Sequence, residues 1–135
     1  MNFTMVQWLD SVRSNSKKDP LPVLSFPGIQ LTGATVRDLV SRGDLQAQCM
    51  KAIADRYAAM ASVSNMDLSV EAEAFGAKTA YSEDDLPSII GRLIDSYAEA
   101  AKLVVPDIGT GRTGECVKAI ELAVQLITDR PVFAG

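Results

Sequence analysis

Ala61-Ser-Val-Ser-Asn-Met-Asp67-Leu-Ser-Val-Glu-Ala-Glu-Ala-Phe-Gly76 is the stretch on which the reading of this chain turns. Ala61 to Met66 is small and partly β-branched and follows a long helical pattern, so it predicts a strand. Asp67 closes that strand. Ser69 to Phe75 is rich in helix formers, with Ser69 placed as a cap and Gly76 as a stop. The alternative is one extended strand carrying Asp67, Ser69, Glu71 and Glu73 on a single face. The alanines favour the helix.

Upstream, a helix starting at Asp44 carries Leu45, Cys49, Ile53, Tyr57 and Met60 as an apolar stripe that must pack against something. Thr35 and Asp38 open a shorter helix with Val36, Leu39 and Val40 on its apolar side. Leu21 to Phe26, between Pro20 and Pro27-Gly28, predicts a first buried strand. Thr4 and Gln7 have the spacing of a capping box ahead of Met5, Trp8, Leu9 and Val12.

Downstream, Ser82 and Ser96 mark two helix starts, limited by Pro87 and Pro106. Thr113 is expected to cap a last helix whose buried stripe is Val117, Ile120, Val124 and Ile127, and Pro131 to Gly135 predicts another strand. The order predicts an α/β domain over residues 1–135, with about three parallel strands joined by crossover helices. Three parallel strands leave two open edges, so the chain reads as part of a larger sheet. A second copy pairing along those edges is one expected partner.

The 135 residues are 47% hydrophobic and 22% charged, with a formal net charge of −4, which fits one globular core and argues against a phosphate-backbone partner. No apolar run is long enough to span a membrane, and Met1 to Asp10 lack the features of a secretory signal, so a cytoplasmic location is expected. The chain has no histidine. Cys49 and Cys116 are far apart and read as core thiols, which leaves no metal-ligand spacing. Any chemistry rests on carboxylates, arginines or tyrosines.

Gly109-Thr-Gly111-Arg-Thr-Gly114 matches the glycine spacing of a dinucleotide-binding loop. The segment before it, Leu103-Val-Val105, is broken by Pro106, so a plain loop before a helix is favoured over a nucleotide site. Arg112 in that loop is a candidate substrate-binding residue, since a guanidinium matches carboxylate or phosphate geometry, or else a solvated surface arginine. Asp67 falls at the C-terminal end of a strand, where parallel α/β folds bind ligands, and is the candidate catalytic residue. Its other reading is a helix cap. Glu71 is a candidate substrate contact, or with Glu73 a first-turn acid favoured by the helix dipole.

Asp67 to Gly76 resembles the second-strand region of the uroporphyrinogen decarboxylase superfamily, and Val70-Glu-Ala-Glu-Ala74 looks most like its methylcobamide:coenzyme M methyltransferases. Pro22 to Phe26 is similar to the family's first strand, Pro106 to Arg112 to the loop before its next helix, and Asp129 to Gly135 to the strand that leads into a Gly-Pro-Phe turn. The resemblance implies the N-terminal part of a (β/α)8 barrel. It aligns Asp67 with the aspartate that faces the tetrapyrrole in the decarboxylases. Phe26 to Leu31 lacks the paired arginines expected of a porphyrinogen decarboxylase, so that activity is the alternative, beside a self-associating fragment without catalysis.

The leading implication is methyl transfer between a corrinoid protein, the expected partner, and a thiol-type acceptor activated by zinc. The family's zinc ligands come from later in the barrel, so this segment alone is expected to be inactive and to hold no cofactor. A whole barrel takes roughly 250 residues.

Overall fold

The computed structural model describes residues 4–135. Helix α1 (Met5–Ser14) is followed by α2 (Gly28–Thr32), α3 (Val36–Ser41) and α4 (Gly43–Arg56), then strand β1 (Ser62–Val63) and α5 (Ser69–Ala74). A hairpin of β2 (Thr79–Ala80) and β3 (Ser88–Ile89), the single-turn α6 (Tyr97–Ala100), α7 (Thr113–Leu126) and β4 (Val132–Phe133) complete the order. β1 and β4 run parallel, pairing Ser62 with Val132 and Val63 with Phe133. The helical crossover between them is the expected βα unit.

The core lies between α4 and α7. Ala47, Met50 and Ala54 face Ala123 and Ile127, with Leu122 and Val132 packed against them. Small residues let the two helices approach closely. A Cβ added at Gly43 would sit 3.0 Å from the Ala119 nitrogen and closer still to the Glu115 carbonyl. The expected stripes are partly displaced by this packing: Val117 and Val124 are exposed, as is Tyr57, and the buried positions of α7 are Ala119 and Ala123. Periodicity located the helix, but the small side chains chose its contact face.

Two capping boxes form as expected, Thr4 with Gln7 and Thr35 with Asp38, and a third, Ser96 with Glu99, opens α6. Val36, Leu39 and Val40 are all buried. Ser69 and Thr113, by contrast, are the first helical residues and not caps.

Leu21 to Phe26 does not become a strand. It runs beside β1, accepting from the Met60 amide at the Pro20 carbonyl (3.0 Å) and donating from the Ser25 hydroxyl to the Val63 carbonyl (3.4 Å), yet it forms no ladder. Pro20, Pro22 and Pro27 have no N–H to give one. Among the described residues two strands are therefore hydrogen-bonded in parallel, against the expected three. Nor does Ser82 start a helix: its hydroxyl accepts from the Asp84 and Asp85 amides (both 3.3 Å), a local turn that Pro87 ends and that joins the antiparallel hairpin.

The two ends of the β1–β4 pair are built differently. At the N-terminal end, Trp8 of α1 packs edge-on against Phe133 with ring centroids 5.2 Å apart and donates its Nε1–H to the Met60 carbonyl (3.2 Å). The C-terminal end opens into a cleft.

Candidate functional site

Asp67 follows β1, and its Oδ1 accepts from the Ser69 amide (2.9 Å) and the Ser69 hydroxyl (2.6 Å), which turns the chain into α5. Asp67 is therefore not the helix cap: the N-cap is Leu68, without a side-chain cap bond, and Asp67 makes a local turn one residue earlier that uses one of its oxygens. Oδ2 meets the Nη1 of Arg112, 45 residues further along the chain.

Arg112 sits where the glycine loop enters α7. Gly109 and Gly111 have φ of +89° and +58°, a left-handed backbone that glycine adopts without strain, and a Cβ at Gly114 would meet the Gly109 carbonyl at 2.9 Å. The loop thus folds tightly and turns the arginine inward. Its side chain is 8% exposed and that of Asp67 5%. Nε donates to Glu73 Oε2 (2.5 Å), Nη2 to the Ser69 hydroxyl (2.8 Å) and Nη1 also to the Val40 carbonyl (3.4 Å). Tyr81 completes the cluster, with its ring centroid 5.2 Å from the guanidinium carbon and its hydroxyl donating to Glu73 Oε1 (2.7 Å).

The electrostatics follow from this network. Burial pushes the Asp67 carboxyl up, but the Ser69 and Arg112 hydrogen bonds outweigh it and leave the acid below its ordinary range. Burial also pulls Arg112 down, and Asp67 with Glu73 more than restores it. Burial and the bond to Glu73 push the Tyr81 hydroxyl up. The cluster is one cation between two carboxylates, and its hydrogen bonds favour the ionised form of Asp67.

The cleft beside it has a volume of about 260 Å³ and lies at the C-terminal ends of both parallel strands. Asn65, Asp67 and Glu71 line it together with Gln46 of α4 and Cys116 of α7. Two of the three expected site residues, Asp67 and Glu71, thus share one cavity. Arg112 stands behind Asp67, with its donors committed inside the protein. A larger groove of about 350 Å³ lies at the opposite end, between α1 and the turn at Arg130. It is away from the strand ends that bear the acids.

From the sequence Ser69 was legible as a cap, Glu73 as a first-turn acid and Cys116 as a core thiol, while Tyr81, Gln46 and Asn65 carried no signal of their own. Among the described residues no group of three or more His, Cys, Asp or Glu side chains is placed to hold a metal. The donor set here does not fit a zinc site. Among the described residues no helix is long and apolar enough to cross a membrane.

The uroporphyrinogen decarboxylase (URO-D) family model matches residues 24–135. The chain belongs to this family. A solved methyltransferase from Methanosarcina mazei is similar in structure, with a TM-score of 0.78 at 20% sequence identity over 99% of this chain. That overlap is 42% of the neighbour's chain, so this chain spans less than half of its length. None of the curated proteins matches the sequence. With that neighbour, the parallel β1–β4 pair and its crossover are a partial α/β barrel of the URO-D family, and the cleft lies where barrels of this kind keep their active sites.

Proposed function

We propose that the chain supplies the substrate-facing N-terminal part of a methyl-transferring barrel of the URO-D family. The observation that carries this reading is the buried, ionised Asp67 lining a cleft at the strand C-termini, on a fold shared with a methyltransferase. In this reading Asp67 is the catalytic residue, Glu71 contacts substrate at the rim, and Arg112 fixes and ionises Asp67 from behind. The full reaction moves a methyl group between a methylcobamide protein and a thiol-type acceptor. The ligands for an acceptor-activating zinc lie outside this segment, which by itself is inactive.

Porphyrinogen decarboxylation is the rival reading within the family. No arginine falls in Phe26 to Leu31 to grip porphyrin carboxylates, and no lysine or arginine lines the cleft. Equilibrium dialysis against methylcobalamin and, separately, uroporphyrin tests the choice. Retention of the corrinoid, weakened by Asp67→Asn, is expected; retention of the porphyrin alone would reverse the assignment. Turnover of methylcobalamin with 2-mercaptoethanesulfonate by this chain alone would contradict the division of labour.

A further inference from the structure

Each of the two acids around Arg112 gives one oxygen to the guanidinium and the other to a hydroxyl donor. Asp67 takes Nη1 on Oδ2 and the Ser69 hydroxyl on Oδ1 (2.6 Å). Glu73 takes Nε on Oε2 (2.5 Å) and the Tyr81 hydroxyl on Oε1 (2.7 Å). The arrangement is doubled, but its two sides are unequal. Asp67 also accepts from the Ser69 amide (2.9 Å), and its side chain is 5% exposed and lines the cleft. The Glu73 side chain is 25% exposed and lies outside the cleft lining.

One salt bridge is enough to fix and ionise one acid, so the second carboxylate calls for an explanation. Nη1 and, through Ser69, Nη2 already hold the guanidinium against Asp67. What Glu73 adds is competition. A cation shared by two carboxylates attracts each less than it would attract one alone, and a like charge nearby disfavours ionisation. Tyr81, directly after β2, adjusts that competition from the hairpin. Its hydroxyl draws charge from Glu73, and burial together with that bond keeps it protonated as a donor. Among the cleft and cluster residues, the titratable groups around Asp67 are Arg112 and Cys116, Glu71 and Glu73 of α5, and Tyr81; α3 gives the Val40 carbonyl and α4 the neutral Gln46.

We propose that Glu73 and Tyr81 are positioning residues that divide Arg112 between two acids, holding Asp67 in a looser ion pair than Arg112 alone would make. The inference rests on the reading of Asp67 as the catalytic residue and says how its strength as a base is set. It also makes the β2–β3 hairpin part of a site that lies at the end of β1.

The test follows the Asp67 carboxyl carbon by 13C NMR and the Arg112 Nε–H by 15N NMR in the 135-residue chain, in Glu73→Gln, in Tyr81→Phe and in the double variant. Glu73→Gln leaves the cation to Asp67, so the Asp67 midpoint is expected to fall by about half a pH unit or more. Tyr81→Phe makes Glu73 the stronger competitor, so the midpoint should rise by a few tenths of a unit while the Nε–H proton moves downfield. In the double variant the Tyr81 effect should vanish, because it acts through Glu73. A cluster with a merely structural role would loosen in every variant and carry the midpoint upward. A rise in Glu73→Gln would therefore overturn the inference, as would midpoints unmoved in both single variants or a Tyr81 effect that survives in the double variant. Should Glu73→Gln not fold, Tyr81→Phe decides by its Nε–H shift: downfield supports a strengthened bond to Glu73, and upfield or no movement overturns it. No corrinoid enters these measurements, so their failure and that of the methyl-transfer reading are separable.

Discussion

Two partly or fully buried arginines sit at opposite ends of the β1–β4 pair and do different work. Arg130, at the N-terminal end, donates to the Ala54 and Tyr57 carbonyls (3.0 and 2.9 Å) and pairs with an exposed Asp129. It satisfies the last turn of α4, where a cation also complements the helix dipole. Arg112, at the C-terminal end, is instead held between two carboxylates, of which the Asp67 side chain is nearly buried. A helix end needs acceptors met, whereas a pair of buried charges is a poor source of stability and a good way to hold an acid ionised. The contrast separates an end that closes a helix from an end that holds an acid ionised.

The strongest way to break that contrast is to remove each arginine. Arg112→Met leaves two carboxylates without their cation and should cost about 3–5 kcal/mol, while Arg130→Met should cost about 1–2 kcal/mol for its carbonyl bonds. Urea unfolding of both variants checks this, and an equal or reversed ranking would erase the distinction.

Next in size is the close approach of α4 and α7 on which the whole site rests. Gly43→Ala drives a methyl into the Glu115 carbonyl and should destabilise by about 1–3 kcal/mol, read from the thermal midpoint. It also disturbs the bond from the Gly43 amide to Glu115 Oε2 (2.6 Å).

Acid sharpens the comparison further. Because the folded-state pKa of Asp67 is depressed, the unfolded chain takes up that proton first as pH falls. The stabilisation is complete above the unfolded value of about 3.9 and is lost as pH drops through the folded one. Unfolding midpoints followed into acid should fall steeply in the parent and less steeply in Asp67→Asn. The smallest effect is expected far from the site: Thr4→Ala removes the α1 capping box and should cost about 1 kcal/mol, with no change in the Asp67 titration by NMR.

What the sequence made legible was local. Capping pairs such as Thr35 with Asp38 involve residues three apart, so the chain announces them, and Ala61 to Met66 followed by Asp67 announced the strand end. The prolines of 20–27 were visible too, but their effect on a ladder depends on where β1 lies, and the expected strand was lost to that. The candidate site divided in the same way. Asp67 was legible as a candidate from its place after a strand and Glu71 as an acid in the helix that follows, whereas the partnership of Arg112 with Glu73 and Tyr81 spans 39 and 31 residues and depends on a loop turned inward by Gly109 and Gly111. Gln46 and Asn65 could not be told from ordinary helix and turn residues until the cavity between them was visible.

The most direct test is the titration of the Asp67 carboxyl carbon by 13C NMR in the intact chain and in Arg112→Met. A midpoint below about 3.9 that rises when Arg112 is removed is the expected result. A midpoint at or above that value, unmoved by the substitution, would contradict a preformed, ionised acid at the mouth of the cleft.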